Sequence, residues 1–327
     1  MDLAISPTSP GLGATDLVEL CVAAERLGYA SAWAAEVSGP GAFALLGAVA
    51  ARTSRIDLGV AVVPASTRSP ALLAMEAATV SQLLGGRTMS LGIGASSQFI
   101  LDSWHAAPFD PALARVGETV EATRALLSGG REYRGEHVGV SRFSLAAPPL
   151  GPVRVFVAAL GPAMLAVAGA VGDGVCLNLM PPALVPRQRR AVAAGAERAG
   201  RELPGHFAVM ARIHTVPTDD VAAGRTMVRS AFGPYFGQPV YNRFLAWMGY
   251  PEEAAAVAAA FTAGDRDGVA RAMHDRIVDD IALVGGISRI RDRLEEYAAA
   301  GLDVAALNVI APSVAEVAAT LQALRPG

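Results

Sequence analysis

The turn Leu160-Gly161-Pro162 could bind an anion although it contains no charged side chain. It joins an apolar run at residues 155–159 to a helix-like run. A helix N-terminus carries free N–H groups and a partial positive charge, so its backbone can hold an anion without a lysine. Gly161 lets the backbone approach a ligand closely, and Pro162 suits the first helical turn, where no donor is needed. The simpler interpretation, a Gly-Pro that only turns a strand into a helix, stays open.

Histidines offer a second kind of chemistry. His105 lies beside Trp104 in a loop-like segment and could supply a proton, although a lone loop histidine is more often a surface residue. His214 falls in an apolar, strand-like run, where a core position is the better interpretation. The remaining histidines show no metal-ligand spacing, so no metal site is predicted.

The long segment after residue 217 is rich in aromatic residues that could line a pocket for a planar or lipophilic substrate. They are Tyr235, Phe236, Tyr241, Phe244 and Trp247. All of these except Phe236 join Trp104 in the predicted substrate pocket. The spacing of Tyr241 and Phe244 equally suits a helix that packs on the rest of the fold.

Composition excludes several classes of protein. All 27 basic residues are arginine, and without lysine Schiff-base catalysis, pyridoxal phosphate chemistry and a P-loop are excluded. The net charge of −3, with no basic block beyond residues 187–190, predicts no nucleic-acid partner. No unbroken apolar stretch of about 18 residues occurs, so we expect no membrane span, and the N-terminus does not resemble a signal peptide. Cys21 and Cys176 lie in apolar runs and are expected to be buried free thiols, which suits a reducing cytosol.

Apolar runs that read as strands alternate with helical patterns through short turns. The predicted strands cover residues 2–6, 30–36, 56–63, 87–95, 153–159, 174–179, 207–216 and 304–310. Predicted helices cover residues 41–54, 70–86, 113–128, 162–171 and 183–200, and a small hairpin is expected within 133–145. Strands that are apolar on both faces are typical of a parallel sheet covered by helices.

Eight strand–helix units predict a TIM (β/α)8 barrel. The competing doubly wound sheet needs a glycine fingerprint after its first strand, but residues 6–14 read SPTSPGLGA, and the partial motif GIGASS comes only after the fourth strand. No linker interrupts the chain, so residues 1–327 are predicted to form one domain. Its expected insertions lie near residues 96–112, 131–150 and 217–280.

Four segments in register resemble the luciferase-like monooxygenase superfamily, and most closely its branch that uses coenzyme F420, a deazaflavin. They are residues 58–70 (LGVAVVPASTRSP), 86–97 (GRTMSLGIGASS), 131–145 (REYRGEHVGVSRFSL) and 160–175 (LGPAMLAVAGAVGDGV). The resemblance covers most of the chain and implies a bacterial luciferase-like TIM barrel, in agreement with the strand count.

The resemblance also implies where the coenzyme lies. Its phosphate would rest on the turn Leu160-Gly161-Pro162-Ala163, and its ring would press on a non-prolyl cis peptide in the third strand, which the register places at Ala61–Val62. The loop after the fourth strand, Ala95-Ser96-Ser97, completes the predicted coenzyme site. An ordinary buried strand at Ala61–Val62 is what the apolar pattern alone predicts.

An acid after the second strand is a further feature of the family, and here it corresponds to Glu36. Members that oxidise alcohols or sugar phosphates follow this acid with a histidine, but this chain has Val37, which argues against such dehydrogenation. In a deep pocket Glu36 could keep a raised pKa and relay a proton. It could equally be salt-bridged or orient the coenzyme.

The sequence therefore predicts a coenzyme F420-dependent oxidoreductase that transfers a hydride between C5 of the deazaflavin and a small organic substrate. Two alternatives stay open: an FMN-dependent luciferase-like monooxygenase, and a protein that binds the deazaflavin or flavin without catalysis. A cytoplasmic homodimer is expected from the resemblance.

Overall fold

The computed structural model describes residues 1–8 and 11–327, in which strands and helices alternate along most of the chain. The strands are β1 (Asp2–Ile5), β2 (Ser31–Ala34), β3 (Asp57–Pro64), β4 (Met89–Gly94), β5 (Tyr133–Arg134), β6 (Gly139–Val140), β7 (Val153–Ala158), β8 (Gly174–Asn178), β9 (Ala208–Pro217), β10 (Ala282–Gly285) and β11 (Val304–Val309). The helices are α1 (Ala14–Arg26), α2 (Ala42–Ala50), α3 (Pro70–Leu84), α4 (Gln98–Ile100), α5 (Ala112–Leu127), α6 (Pro162–Val171), α7 (Val185–Arg198), α8 (Val221–Gly237), α9 (Pro239–Met248), α10 (Pro251–Thr262), α11 (Arg266–Ala272), α12 (Asp275–Ile281), α13 (Ile287–Ala299) and α14 (Val314–Ala323). A π-helical turn follows α4 at Leu101–His105, and a 3₁₀ turn precedes α7 at Pro182–Leu184.

Eight parallel strands close into a barrel in the order β1-β2-β3-β4-β7-β8-β9-β11, and β11 pairs again with β1. Each of the eight corresponds to a strand predicted from the sequence, so the prediction of a TIM barrel is confirmed. A ninth strand of the sheet, β10, pairs with the end of β9 outside the ring and was not predicted. It follows α12 without a turn, and so short an apolar run cannot be told from continued helix by its pattern.

Local signals explain where the helices begin and end. Ser69 caps α3 by accepting a hydrogen bond from the Leu72 N–H at 3.2 Å, and Pro70 occupies the first helical position. The helix ends at Gly85, which adopts the left-handed conformation with φ of 62°. These signals keep the turns between strand and helix short, as a barrel of this class requires.

The inner half of the barrel nearer the amino ends of the strands is filled by apolar side chains, here called the lower layer. Its members are Ala4, Trp33, Phe156, Cys176, Met210 and Ala306. Trp33 and Phe156 meet edge to face, with ring centroids 5.2 Å apart. A Cβ atom on Gly59 would lie 2.5 Å from the Trp33 ring, and one on Gly174 would lie 2.3 Å from the Phe156 ring. These two glycines therefore make room for the aromatic plug.

Three segments add structure beyond the eight ring strands and the helices between them. Helix α4 and its π-helical turn follow β4, and β5 and β6 form a small antiparallel hairpin. Helices α8 to α12 lie between β9 and β10. Among the described residues, no helix combines the length and the apolar character needed to cross a bilayer.

Candidate functional site

A cavity of about 520 Å³ opens at the carboxyl ends of the barrel strands, the face where TIM barrels carry their chemistry. Strands β3, β8 and β9 form its floor and walls, and the segments around α4 and α8 form its mouth. The lining residues used below are Glu36, Ala61, Val62, Ser96, Ser97, Trp104, His105, Asn178, Arg212, His214, Phe232, Tyr235 and Tyr241.

One wall is a bulge in β3. The peptide bond between Ala61 and Val62 is cis, as predicted, and the register of β3 against β4 shifts between Val60 and Val63. Gly92 of β4 leaves room for this bulge, because a Cβ atom there would lie 2.3 Å from the Val60 carbonyl oxygen and 2.7 Å from Val62 Cγ1. The glycines of the segment GIGASS thus accommodate the bulge, and Ala61 and Val62 present an apolar surface to the cavity.

Glu36 lies at the rim of the cavity in an ion pair. Its Oε1 and Oε2 accept hydrogen bonds from Arg68 Nη1 and Nη2 at 2.6 and 3.0 Å, and Oε2 also accepts one from the Ala42 N–H at 3.0 Å. Burial alone would raise the pKa of Glu36, but Arg68 and the Ala42 N–H together hold it below its ordinary value. The prediction of a raised pKa is therefore wrong. Glu36 is ionised at neutral pH and has no proton to relay.

Further contacts of Arg68 hold its ion pair with Glu36 in place. Its Nε lies 3.0 Å from Glu76 Oε2 in a second ion pair, and its guanidinium lies over the Phe43 ring. A guanidinium shared between two carboxylates presents its fork to one and its Nε to the other, which fixes the position of both acids. Glu36 is thus held at the rim as a fixed negative charge.

His105 and Trp104 lie together at the mouth, on the π-helical turn after α4. Trp104 is 48% exposed and meets Phe99 edge to face, with centroids 6.3 Å apart. His105 is exposed, and its charge adds to the lowering of the Glu36 pKa. Ser96 and Ser97 line the cavity beside them, whereas Ala95 lies just outside its lining.

The floor of the cavity is polar and was largely missed from the sequence. Asn178, Arg212 and His214 line the cavity, and Asn308, outside its lining, is hydrogen-bonded to Arg212 and His214; these four residues, here called the upper layer, lie on β8, β9 and β11. Arg212 Nη2 donates to Thr8 Oγ1 at 2.8 Å and to Asn308 Oδ1 at 3.1 Å. The available signal was strand alternation, because Arg212 stands two residues before His214 and so shares its inward face.

His214 is neutral, and its neighbours decide its tautomer. Burial first, and then the charge of Arg212, lower its pKa to about 3. Asn308 Nδ2 donates to the carbonyl groups of Ser6 and Thr8, so Asn308 Oδ1 is the acceptor for His214 Nδ1–H at 2.9 Å. His214 Nε2 then carries no proton, and Asn178, whose amide lies 2.9 Å away, must turn its NH₂ group toward the ring. The predicted core position of His214 is confirmed, since only 2% of the residue is exposed.

The turn at Leu160–Ala163 lies at the same end of the barrel but outside the lining of the cavity. Gly161 caps α6 in an extended conformation, with φ of −90°, and Pro162 is the first helical residue. A Cβ atom on Gly161 would meet nothing within 4 Å, whereas one on Gly169, Gly172 or Gly174 would lie within 3 Å of other protein atoms. Gly161 is therefore the one glycine of this motif that the packing of the chain does not require.

The aromatic residues of the insertion divide between cavity and core. Tyr235 and Tyr241 line the cavity, as predicted. Phe232, which was not predicted, lines it too, and its ring centroid lies 4.4 Å from that of His214. The prediction is wrong for Phe244 and Trp247. Phe244 is 1% exposed and belongs to the core around the barrel, and Trp247 stacks on it beneath the guanidinium of Arg187. Helix α9 thus turns Tyr241 to the cavity and Phe244 to the core.

A closed eight-stranded barrel with a bulged third strand and a cavity at its carboxyl face defines the class of protein. The family model of the luciferase-like monooxygenases matches residues 3–304, and the chain belongs to this family. The resemblance read from the four sequence segments is confirmed. Among the described residues, no group of three histidine, cysteine or acidic side chains is arranged to hold a metal ion.

Particular relatives are named for coenzyme F420 or for a pterin substrate. A protein of Mycobacterium tuberculosis, provisionally named a coenzyme F420-dependent oxidoreductase, is 29% identical over 309 residues, which cover 87% of this chain and 88% of the relative. The 5,10-methylenetetrahydromethanopterin reductase of Archaeoglobus fulgidus is 29% identical over 85% of both chains. Among solved structures, the coenzyme F420-dependent tetrahydromethanopterin reductase of Methanopyrus kandleri superposes with a TM-score of 0.76 at 22% identity, over 98% of both chains.

Proposed function

We propose that this protein is a coenzyme F420-dependent oxidoreductase that transfers a hydride between C5 of the deazaflavin and a small organic substrate. The bulge at Ala61–Val62 carries this proposal, because it gives the cavity a flat apolar wall against which a tricyclic ring can lie. The names of the relatives point to the same coenzyme.

The residues present fit such a coenzyme at two places. The bulge and the polar side chains of Asn178, Arg212 and His214 line the same cavity, whose volume of about 520 Å³ leaves room for a ring and a small substrate. Leu160–Ala163, at the same end of the barrel, offers the free N–H groups of the first turn of α6 and an open position at Gly161, which suits a phosphate.

The coenzyme, when bound, supplies the hydride donor or acceptor. The chain supplies position: Ala61 and Val62 support one face of the ring, and Trp104 and Phe232 cover the mouth and inner wall. Glu36 and Arg68 form the rim as a fixed ion pair. Val37 stands where members that oxidise alcohols or sugar phosphates have a histidine, which favours an electron-poor C=C or C=N bond as the reacting group over an alcohol.

Titration with each coenzyme tests the choice of coenzyme. We expect oxidised coenzyme F420 to quench or change fluorescence with a micromolar or tighter dissociation constant. FMN should bind at least about tenfold more weakly, a difference of about 1.4 kcal/mol. FMN binding as tight as that of F420 would instead support the flavin monooxygenase.

Replacing Gly161 tests the phosphate site. Gly161→Val should weaken coenzyme F420 binding about tenfold or more, because the new side chain occupies the open position, while the melting temperature changes little. Gly286→Val is the matched control: Gly286 caps α13 in the same extended conformation, and its Cβ position is equally open. Equal coenzyme affinity in the two variants would show that the turn is only structural.

Turnover separates an enzyme from a protein that only binds the coenzyme. Reduced coenzyme F420 and a panel of enones and imines should give substrate-dependent reoxidation, followed by the absorbance of the oxidised deazaflavin. Tight binding with no reoxidation by any member of the panel, and no reduction by candidate hydride donors, would favour the non-catalytic alternative.

We also propose that residues 1–327 act as one domain and that the protein is a cytoplasmic homodimer. Cys21 and Cys176 are free and buried, which suits a reducing compartment.

Leu72, Met75 and Leu83 form an exposed apolar stripe on α3 that a second copy could cover. Light scattering should give about twice the chain mass of 33.5 kDa, and a monomer would contradict the dimer.

A further inference from the structure

The floor of the cavity contains a cation that no carboxylate of the described chain balances. Arg212 lies partly open to the cavity, and its two hydrogen bonds go to Thr8 and Asn308, which are both neutral. Its Nε–H is buried and has no hydrogen-bond partner. Within residues 1–8 and 11–327, no acidic oxygen lies within 4 Å of its guanidinium.

A second, partly buried guanidinium shows that this arrangement is not the rule in the protein. Arg87 uses Nε, Nη1 and Nη2 to donate to the carbonyl groups of Leu84, Ala50, Thr53 and Ile56 and to Thr53 Oγ1. Its hydrogen bonds are thus completed by the chain, as a structural role requires. Arg212 differs, because its Nη1 makes no hydrogen bond within the described chain and is not closed off from the cavity as its Nε is.

The other polar groups around Arg212 are also donors without acceptors. The hydroxyl groups of Tyr235 and Tyr241 face the cavity near the guanidinium, and neither has a hydrogen-bond partner among the described residues. His214 is neutral. Among the described residues that line the cavity, Glu36 is the one carboxylate, and Arg68 and the Ala42 N–H hold its oxygens. The floor therefore presents converging donors and no free negative charge.

A buried charge without a partner is strongly unfavourable, and so is a buried donor without an acceptor. A ligand that carries a carboxylate would satisfy both at once, because a guanidinium and a carboxylate match in shape and charge. We propose that Arg212, with Tyr235 and Tyr241, binds a carboxylate of the substrate and so selects carboxylate-bearing molecules for this cavity. Calling the bound molecule the substrate rests on the proposed function; the anion site itself does not.

Benzoate and benzamide form a matched pair of probes, since they share shape and differ in charge. Isothermal titration at pH 7.5, with and without oxidised coenzyme F420, should show that the wild-type protein binds benzoate at least tenfold more tightly than benzamide. Arg212→Gln should bring the ratio of the two affinities close to one, and Arg212→Lys should retain part of the preference. A wild-type ratio near one, or a ratio unchanged in Arg212→Gln, would overturn the proposal.

The coenzyme is the other source of a negative charge that Arg212 could bind. Titration of Arg212→Gln with coenzyme F420 distinguishes this from the binding of a substrate carboxylate. If Arg212 serves the substrate, Arg212→Gln binds coenzyme F420 within about threefold of wild type. A loss of ten-fold or more would place the anion on the coenzyme and overturn the proposal. Failure of coenzyme F420 to bind the wild-type protein would contradict the proposed function alone, because the probe ratio is measured without it.

Arg212→Gln also removes the bonds to Thr8 and Asn308, so its fold is checked by near-ultraviolet circular dichroism. If Arg212→Gln does not fold, Tyr241→Phe tests the proposal instead. This change removes one hydrogen-bond donor from the cavity and leaves the hydrogen bonds of Arg212 in place. We then expect benzoate affinity to fall three- to ten-fold with benzamide affinity unchanged. Equal affinities for benzoate in wild type and Tyr241→Phe would overturn the proposal in that case.

Discussion

The lower and upper layers of the barrel share three strands and differ in chemistry. Cys176 and Asn178 are two residues apart on β8, as are Met210 and Arg212 on β9 and Ala306 and Asn308 on β11. Side chains two residues apart point to the same face of a strand, so each of these three strands contributes to both layers, and β9 adds a second polar side chain, His214, to the upper one. The apolar layer closes the barrel, and the polar layer above it is left open to the cavity.

The two layers also differ in how tightly they are packed. The lower layer has no spare volume, since Gly59 and Gly174 are needed to fit Trp33 and Phe156. The upper layer contains hydrogen-bonding groups that remain without partners, among them Arg212 Nε. Changes in the lower layer should therefore act on stability, and changes in the upper layer should act on ligands and on the response to pH.

The largest effect is expected in the lower layer. Gly174→Ala should lower the free energy of unfolding by about 3 kcal/mol, because the added methyl group would meet both the Phe156 ring at 2.3 Å and the Ala208 carbonyl oxygen at 2.7 Å. The Phe156 ring can shift away from the new methyl group, but the Ala208 carbonyl oxygen, which is part of the backbone, cannot move as easily. Urea unfolding measures the change.

Gly205→Ala is the control for this substitution, because a Cβ atom at Gly205 meets nothing within 4 Å. It should change the free energy of unfolding by less than about 0.5 kcal/mol. If Gly174→Ala were as stable as Gly205→Ala, the lower layer would have to be looser than described.

At the rim above the two layers, Glu36→Gln should cost about 2 kcal/mol of unfolding free energy, because Arg68 loses its bidentate partner in a mostly buried site. Turnover should fall less than about tenfold, since an ionised Glu36 is not the proton donor. Because the folded pKa of Glu36 lies below its unfolded value, its stabilising effect is present at neutral pH and is lost as the pH falls through the folded pKa.

Glu76→Gln is the matched control at the rim. It removes the other carboxylate of Arg68, whose pKa is raised by burial, and leaves the bidentate contact with Glu36 intact. We expect a smaller loss of stability than for Glu36→Gln. A fall of 100-fold or more in the turnover of Glu36→Gln, with coenzyme affinity unchanged, would restore the acid role that the ion pair argues against.

The upper layer should make the free energy of unfolding depend on pH. The folded pKa of His214 is about 3, below its unfolded value of about 6.5, so the unfolded state binds the extra proton between these values. Stability is then complete above pH 6.5 and declines as the pH falls. Between pH 7.5 and 5.5 His214 should account for a loss of about 1.4 kcal/mol in the free energy of unfolding.

Comparing pH profiles isolates this contribution from those of the other histidines. His214→Gln should have a flatter profile than wild type over this range, whatever its absolute stability. Identical slopes for wild type and His214→Gln would mean that the pKa of His214 is the same in the folded and unfolded states, and would contradict the lowered folded pKa.

The architecture of the barrel could be predicted because its signals are local. Each of the eight ring strands is an apolar run bounded by turn residues, and the helices between them begin and end at Ser, Pro and Gly. The cis peptide at Ala61–Val62 was located through the resemblance of residues 58–70, since the apolar pattern alone predicts an ordinary strand. Among the strands of the described residues, β10, which follows a helix without a turn, was not predicted from the pattern.

The chemistry of the site depended on contacts between distant residues. Glu36 was a candidate acid until the structure placed Arg68, 32 residues further along the chain, against both of its oxygens. Tyr241 and Phe244 have the same aromatic character in the sequence, and only the packing of α9 decided that the first lines the cavity and the second the core. The sequence by itself determined the barrel and its family, because hydrophobic periodicity and turn chemistry act over a few residues. Only the tertiary structure decided the charge state of Glu36 and the exposed donors of Arg212, because a pKa and an unmet hydrogen bond depend on which remote groups share the same buried space.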